Sequence, residues 1–183
     1  MLTKISKECP HHPEELEHLV GLAKTANSIL EIGSRYGECL GLMARAMPVK
    51  GRVVAVDLPG VQPWGYPDSE QHLVRNMASL KAEGFDPLLL LGDSTHPQTV
   101  KAVKSLGLFD LVFIDGDHRY EGVKTDWENY GPLGKIVVFH DIVKHPPEAK
   151  NAPGVWKLWQ EIEGNKSEFI GKESLMGLGV ICR

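Results

Sequence analysis

The sequence predicts an α/β fold, a three-layer α/β/α sandwich with a mostly parallel sheet between two layers of helices. Short apolar runs recur along the chain, and each of the first five is followed by Gly, Asp or His and then by a helix-like segment. This alternation is typical of parallel strands joined by helical crossovers. The last two apolar runs are too close for a helix between them, so we expect a hairpin with one antiparallel strand.

The elements follow in order from these signals. The first is a helix, because Pro13 and two glutamates occupy its first turn and apolar residues follow at helical spacing up to Lys24. Apolar runs predict strands at 28–32, 52–57, 87–91, 110–114, 135–139, 168–170 and 177–182. The crossover helices are predicted at 38–47, 68–83, 97–106, 120–130 and 154–163. Right-handed crossovers would place the parallel strand exits on one edge of the sheet.

Length and composition predict one domain over residues 1–183. The chain is 42% hydrophobic and 24% charged, with a formal charge of -4 and no basic block, which argues against a nucleic-acid surface. Cys9, Cys39 and Cys182 are widely spaced, so neither a disulfide framework nor a zinc site is indicated, and a reducing cytoplasm is expected. No apolar stretch is long enough to cross a bilayer, and we expect neither secretion nor membrane insertion.

The exit of the first strand carries the pattern E-x-G-x-x-x-G over residues 31–37. Gly33 and Gly37 allow a sharp turn and a close approach of a ligand to the backbone beside Ser34. A dinucleotide loop would need glycine where Arg35 and Glu38 stand. Glu31 would repel a phosphate, and its carboxylate favours a positively charged cofactor instead.

Acidic residues also follow the second and third strands. Asp57 can accept both hydroxyls of a ribose, and Asp93, followed by Ser94, stands where an adenine amino group would be read. The alternative for each acid alone is a helix cap or a turn. The ordered set of Glu31, Asp57 and Asp93 favours a nucleoside cofactor.

The exits of the fourth and fifth strands carry the second set of polar residues. Asp115, Asp117 and His118 follow one strand, and His140 and Asp141 end the next. Neighbouring parallel strands end at the same sheet edge, so these side chains are expected around a single gap. Carboxylates and imidazole together point to chemistry at this gap.

These residues resemble the class I S-adenosylmethionine-dependent methyltransferases. Residues 31–37 look like the first motif of that family, and Asp57 looks like its ribose-binding acid. More narrowly, the F-I-D-G-D-H-x-Y element at 113–120 and the His-Asp pair at 140–141 resemble a bacterial small-molecule O-methyltransferase group near the macrocin and cephalosporin-biosynthesis enzymes. The resemblance implies a Rossmann-like seven-stranded sheet with a reversed last strand, with S-adenosylmethionine as cofactor.

The resemblance also implies methyl transfer to a hydroxyl of a small metabolite. The acceptor hydroxyl would lose its proton to a base such as His118, or with the help of Mg2+ or Mn2+. The alternative for His118 is a structural role, as a cap of the following helix or in a pair with Asp117 or Asp141. Related metal-dependent enzymes imply Asp115, His140 and Asp141 as the ligands, and Asp115 thereby belongs to the catalytic residues with His118. The family usually has an acid at the position of His140. An exocyclic nitrogen acceptor is not favoured, because D-G-D-H stands where amino-methyltransferases carry N/D-P-P-Y/F.

Two other functions remain open at this stage. One is an NAD-linked oxidoreductase on a doubly wound sheet, which would need a third glycine, and the other is a relative that binds the cofactor without catalysis. Acceptor specificity is expected in the irregular loops at 59–67 and 144–153, where Trp64 and Tyr66 would cover the adenine. Only about one helix precedes the first strand, so the site is either open or completed by another subunit of a homo-oligomer.

Overall fold

The computed structural model describes residues 11–58, 68–145 and 154–183. Cys9, Trp64, Tyr66 and most of the two expected substrate loops lie outside these ranges. Within these ranges the α-helices are α1 (Pro13–Ala23), α2 (Glu38–Ala46), α3 (Ser69–Ala82), α4 (Pro97–Lys104), α5 (Tyr120–Tyr130) and α6 (Val155–Glu161). The seven strands are β1 (Ser28–Ile32), β2 (Arg52–Asp57), β3 (Asp86–Leu91), β4 (Phe109–Ile114), β5 (Gly134–His140), β6 (Lys166–Phe169) and β7 (Leu178–Cys182).

The seven strands form one sheet in the order β3-β2-β1-β4-β5-β7-β6. Strands β1 to β5 pair in parallel, and β7 is antiparallel to both of its neighbours. The predicted mixed α/β sheet with a reversed last strand is therefore confirmed. The hairpin is also present, although β6 ends at Phe169, one residue before the predicted end. A short 3-10 turn at Gly131–Leu133, which the sequence did not predict, leads into β5.

Helices cover both faces of the sheet, as the near-continuous apolar strands require. One apolar cluster packs α1, α2 and α3 against one face, with Leu16, Leu40 and Leu73 fully buried. The other packs α4, α5 and α6 against the opposite face, where Tyr130 and Trp159 are the largest buried side chains. The described residues thus form the three predicted layers.

The crevice of the sheet lies between β1 and β4, where the strand order changes direction. In such sheets, ligands bind outside the carboxyl ends of the strands at this point. The backbone joins the neighbouring exits here: Gly33 N donates to Val56 O at 2.9 Å, and Asp115 N donates to Ile32 O at 2.9 Å. The first and fourth strand exits are therefore held side by side.

Helix α1 packs its apolar face on the sheet and carries one acid within that face. Leu16, Leu19 and Ala23 are buried at helical spacing, and Glu15 is equally buried beside them. The Glu15 Oε1 atom accepts backbone N–H groups of Gly171 at 3.2 Å and Gly177 at 3.0 Å, on the connection between β6 and β7. Glu15 therefore links α1 to the far end of the chain. Among the described residues, no helix has the length and apolar character needed to span a membrane.

Candidate functional site

The loop after β1 is tightly packed against the exit of β4. Gly33, Arg35 and Gly37 all have positive φ, a backbone conformation that residues other than glycine rarely adopt. A Cβ at Gly33 would lie 2.3 Å from the carbonyl oxygen of Asp115, so only glycine fits there. Arg35, with a φ of 49°, is the residue of this turn that has a positive φ without being glycine. Such conformations are frequent at ligand-binding sites.

Glu31 provides a buried carboxyl group under this loop. Its burial and the nearby Asp115 and Asp57 raise its pKa to about 8, against smaller opposing effects of Ser34 and His11. Its Oε2 atom and the Ser34 hydroxyl have no hydrogen-bond partner among the described residues. A buried acceptor of this kind normally has a partner. The contact of this pair with a cationic ligand group stays a prediction.

Asp57 lies at the adjacent exit of β2 and contacts the same loop. Its Oδ2 atom accepts the backbone N–H of Arg35, and burial raises its pKa above the ordinary value. The structure therefore brings together five of the predicted cofactor residues, namely Glu31, Gly33, Ser34, Gly37 and Asp57. Asp57 therefore holds the loop after β1 next to the exit of β2.

The exit of β3 is arranged differently from the other two. Asp93 is exposed, and its Oδ1 atom accepts from the backbone N–H of Thr95 at 2.8 Å and from its hydroxyl at 2.7 Å. The carbonyl oxygen of Ser94 accepts from the buried Tyr130 hydroxyl. Asp93 thus has the role in a turn that was the alternative to cofactor binding. Its Oδ2 atom takes no part in the contacts with Thr95. The reading of adenine by Asp93 and Ser94 stays a prediction.

Six ionisable side chains meet where β4 and β5 end, and we call them the imidazole–carboxylate cluster. Three are histidines and three are acids, and four of the six were predicted from the sequence. The cluster consists of His11, Glu15, Asp115, His118, His140 and Asp141. The prediction missed His11 and Glu15, which lie four residues apart around the start of α1. A signal was present in the sequence, since Glu15 interrupts the apolar face of that helix.

Asp117 is not a member of this cluster, contrary to the sequence prediction. Its carboxylate pairs with the guanidinium of Arg119 at 2.6 Å and also accepts the backbone N–H of Arg119 at 2.9 Å. These contacts use Asp117 to shape the turn that leads into α5. Glu15 takes its place as the third carboxylate of the gap.

His118 and Asp141 form the closest pair of the cluster, with His118 Nδ1 2.5 Å from Asp141 Oδ2. Asp141 has a φ of 62°, a strained conformation that directs its carboxylate toward His118. Burial alone would lower the pKa of His118, but the hydrogen bond that its Nδ1–H donates to Asp141 and the charge of Asp115 raise it to about 9. The His118 side chain is 42% exposed, so it is the member of the cluster open to a substrate.

Asp115 lies between three imidazoles. Its Oδ2 atom is 3.0 Å from His11 Nε2, and its Oδ1 atom is 3.2 Å from His140 Nδ1 and 3.5 Å from His118 Nε2. Burial opposes its charge, yet His140 and His11 hold its pKa well below the usual range. Asp115 therefore carries a negative charge around which the cluster is organised.

The cluster contains two overlapping groups of three side chains whose ligand atoms all lie within 4.8 Å of one another. One group is His11, Asp115 and His140, and the other is Asp115, His118 and Asp141. The ligand set predicted from the sequence, Asp115, His140 and Asp141, is divided between them. Mixed nitrogen and oxygen donors fit Mn2+ or Fe2+ better than Mg2+, which prefers oxygen. By its donor chemistry, the cluster can hold a divalent cation.

Comparison with known proteins identifies a family for this chain. Residues 30–142, which include both strand exits of the crevice, match the family described as "Methyltransferase domain". That match covers more than half of the chain.

Solved structures share the fold at low sequence identity. An O-methyltransferase from Bacillus cereus, in complex with SAH, matches 97% of this chain and 84% of its own with a TM-score of 0.71 and 16% identity. TomG from Streptomyces achromogenes, an O-methyltransferase involved in tomaymycin synthesis and solved with SAM, matches 96% of this chain and 82% of its own (TM-score 0.65, 18% identity). An O-methyltransferase family protein from Burkholderia thailandensis matches 92% of this chain (TM-score 0.65, 12% identity), but the match spans only 55% of that protein.

Proposed function

The chain belongs to the methyltransferase domain family, and from that premise we propose that it transfers the methyl group of S-adenosylmethionine to a hydroxyl group of a small metabolite. The observation that carries the proposal is the contact between the two strand exits. Gly33, in the loop over Glu31, packs directly on the backbone of Asp115 and Gly116. A cofactor in the loop would therefore lie next to the imidazole–carboxylate cluster.

The residues at the exits of β1 and β2 would bind the cofactor. Glu31 and Ser34 offer unpaired polar atoms to the cationic amino acid part, and Asp57 offers carboxylate oxygens to the ribose. The tight turn at Gly33 lets the ligand approach the backbone amides. Bound S-adenosylmethionine supplies a sulfonium methyl group as the electrophile. The protein positions the acceptor in line with it.

His118 would take the proton of the acceptor hydroxyl. In the balanced reaction the oxygen forms a bond to the methyl carbon, the carbon–sulfur bond breaks, and the hydroxyl proton passes to Nε2 of His118. Asp141 holds Nδ1 at 2.5 Å and fixes the orientation of the ring. With a pKa of about 9, only about one His118 in a hundred is in its basic form at pH 7. Because the charge of Asp115 raises this pKa, neutralising Asp115 would favour the basic form of His118.

A divalent cation at Asp115 and His140 is part of the proposal. It would lower the pKa of the acceptor hydroxyl and help to orient that group. The two side chains already lie 3.2 Å apart through Asp115 Oδ1 and His140 Nδ1. The sequence suggests Asp141 as the third ligand.

The choice of a hydroxyl acceptor is supported by two observations. The exit of β4 reads D-G-D-H at 115–118, without the N/D-P-P-Y/F element of amino-methyltransferases. The named structural relatives from Bacillus cereus and Streptomyces achromogenes are O-methyltransferases, one of them involved in tomaymycin synthesis. We propose on this basis that the chain lies near the bacterial small-molecule O-methyltransferases, including the macrocin and cephalosporin-biosynthesis enzymes.

The proposal is tested by titrating the purified protein with S-adenosylmethionine and with NAD in a calorimeter, and then by screening acceptors. Saturable S-adenosylmethionine binding that weakens at least about tenfold in Asp57→Ala is expected. A panel of matched alcohols and amines, followed by production of S-adenosylhomocysteine, then identifies the acceptor atom. Turnover with alcohols should fall in His118→Gln while cofactor binding is retained.

Other outcomes of the same experiment would contradict the proposal. Binding of NAD without S-adenosylmethionine would indicate the oxidoreductase alternative. Binding of S-adenosylmethionine with no turnover across the acceptor panel would indicate a relative that has kept the cofactor and lost catalysis. Turnover with amines alone would replace the hydroxyl acceptor by nitrogen. Asp86→Ala serves as the control for a general loss of surface charge, because Asp86 is an exposed acid that begins β3, at the end of the strand away from the crevice.

A further inference from the structure

We infer that His11, which precedes α1, is the third ligand of a divalent transition-metal site with Asp115 and His140, and that Glu15 orients His140 from behind. This inference deepens the proposed function and rests on it for the location of the acceptor. It assigns a functional role to the N-terminal helix, which carries none in the prediction from sequence. It also replaces Asp141 in the predicted ligand set.

The positions of the donor atoms support a role for His11. The His11 side chain is buried, and its Nε2 atom lies 3.0 Å from Asp115 Oδ2. Its ring centroid is 4.6 Å from that of His140 and 5.7 Å from that of Phe113, so neighbouring rings fix its orientation. One carboxylate and two imidazoles at this spacing form the set that Fe2+ and Mn2+ accept in proteins.

His140 has the environment of a metal-binding histidine. Its Nδ1 atom faces Asp115, and its Nε2 atom lies 3.6 Å from Oε2 of the buried Glu15. Neither His140 Nε2 nor Glu15 Oε2 has a hydrogen-bond partner among the described residues. A histidine ligand usually directs its second ring nitrogen to a carboxylate, which fixes the tautomer and the ring orientation. Glu15 is held in place for this role by the backbone N–H groups of Gly171 and Gly177.

The alternative ligand group, Asp115, His118 and Asp141, is less suited to hold an ion. His118 is 42% exposed, and its Nδ1 atom is already bonded to Asp141 at 2.5 Å. Metal binding through Asp141 would have to break this contact, which is shorter than the 3.0 Å contact that an ion between His11 and Asp115 would replace. The arrangement instead divides the cluster into a buried side that holds the ion and the His118–Asp141 pair, whose exposed imidazole handles the proton.

The test uses Mn2+ and the full chain, with binding measured by loss of the free Mn2+ signal in electron paramagnetic resonance. His11→Ala is expected to weaken Mn2+ binding at least about a hundredfold, and Glu15→Gln about tenfold. Asp141→Asn and His118→Ala should change it less than about threefold. The proposal is overturned if His11→Ala binds Mn2+ like the wild type, or if Asp141→Asn or His118→Ala abolishes binding while His11→Ala does not.

Two variants serve as matched controls. His18→Ala removes a histidine within α1, which stacks on Phe169 outside the cluster at a ring distance of 4.3 Å. Glu14→Gln removes the neighbouring acid, whose Oε2 atom accepts the backbone N–H of Lys172 at 2.7 Å. Glu14 thus makes the same kind of link as Glu15 without touching His140. Both controls should bind Mn2+ as the wild type does.

A measurement on the unmodified protein keeps the inference testable if a variant fails to fold. Pulsed electron paramagnetic resonance of bound Mn2+ counts coordinated imidazole nitrogens. Two are expected from His11 and His140, whereas a site made by Asp115 with Asp141 and either His118 or His140 would show one. One or none, or no Mn2+ binding at all, overturns the inference. The last result would leave the proposed function standing if S-adenosylmethionine still binds and methyl transfer proceeds.

Discussion

The imidazole of His118 and the carboxylate of Asp141 are paired, with Nδ1 of the ring 2.5 Å from Oδ2. The two residues come from different strand exits, and Asp141 takes a strained φ of 62° to make the contact. The pair leaves Nε2 of His118 directed toward Asp115 at 3.5 Å. A proton acceptor with a fixed ring thus faces the part of the cluster where an acceptor hydroxyl would bind.

The pKa of His118 should depend on this pair. Asp141→Asn removes a negative charge at hydrogen-bond distance, so the pKa of His118 should fall from about 9 by at least about one unit. An NMR titration of the His118 ring measures it directly. Asp117→Asn is the control, because Asp117 pairs with Arg119 and should affect His118 much less. An unchanged pKa in Asp141→Asn would show that the pair does not set the proton affinity of His118.

The pH dependence of turnover follows from the same value. Because His118 must be neutral to accept a proton, methyl transfer without added divalent cation should rise with pH up to about 9. A profile of kcat/KM against pH tests this, and a flat profile between pH 6 and 9 would contradict a role for His118 as the base. A cation at Asp115 would offset the charge that raises the pKa, so adding Mn2+ should move the rise to lower pH.

Binding of S-adenosylmethionine should release a proton from Glu31. The pKa of Glu31 is about 8 in the free protein because the group is buried, so it is mostly protonated at pH 7. A cation bound beside it lowers that pKa, and the release should approach one proton per ligand. Calorimetry in two buffers of different ionisation enthalpy measures the number. The release should vanish in Glu31→Gln and persist in Asp86→Asn, since Asp86 is an exposed acid at the start of β3. Equal values in all three proteins would contradict the contact.

Gly33→Ala should lower the stability of the protein far more than a comparable substitution at another glycine. The new Cβ would lie 2.3 Å from Asp115 O at a φ of 87°, and a loss of about 3–5 kcal/mol in the free energy of unfolding is expected. Gly84→Ala is the matched control, since Gly84 has a φ of 93° with no atom within 4 Å of an added Cβ. Its loss should be about 1–2 kcal/mol. Denaturation with urea measures both, and equal losses would mean that the contact between the exits is not tight.

Asp126 should make the stability of the protein fall as pH rises. Burial raises its pKa to about 7, so between its unfolded value of 3.8 and 7 the folded state binds more protons than the unfolded state. Its contribution is fully present at acidic pH and is lost toward pH 7, with a slope of up to about 1.4 kcal/mol per pH unit. Asp126→Asn removes this dependence.

Urea denaturation at several pH values measures the effect. The wild type should lose stability relative to Asp126→Asn as pH increases from 5 to 7. Asp110→Asn provides a control of opposite sign, since Lys135 lowers the pKa of Asp110 and its contribution is lost as pH falls. Parallel curves for wild type and Asp126→Asn would contradict the raised pKa.

The fold could be predicted closely because its signals are local. Each apolar run is bounded by glycine, aspartate or histidine, and α2 begins after Gly37, where the glycine pattern places it. The predicted residues of the cluster were also found, because parallel strands must end at a common edge. Local signals in the sequence were therefore enough to predict the sheet and most of the polar residues at the strand exits.

The remaining site residues depend on contacts that no local pattern contains. His11 meets Asp115 across 104 positions, and Glu15 meets the β6–β7 connection across more than 150. Asp117 was placed in the gap by its position alone, whereas its neighbour Arg119 binds it outside the cluster. Asp93 likewise bonds to Thr95, two residues away. Contacts with near neighbours keep Asp117 and Asp93 in turns, and docking of the distant N-terminal helix brings His11 and Glu15 into the cluster.

The position of β7 between β5 and β6 has a consequence for synthesis of the chain on the ribosome. Strand β6 leaves the ribosome first but cannot join the sheet until β7 has been made, so the edge of β5 stays uncovered until then. Glu15, translated early, likewise gains its partners Gly171 and Gly177 only near that moment. A nascent chain would therefore lack this anchor of Glu15 until the last strand is made, and a chain interrupted before Gly171 would never gain it.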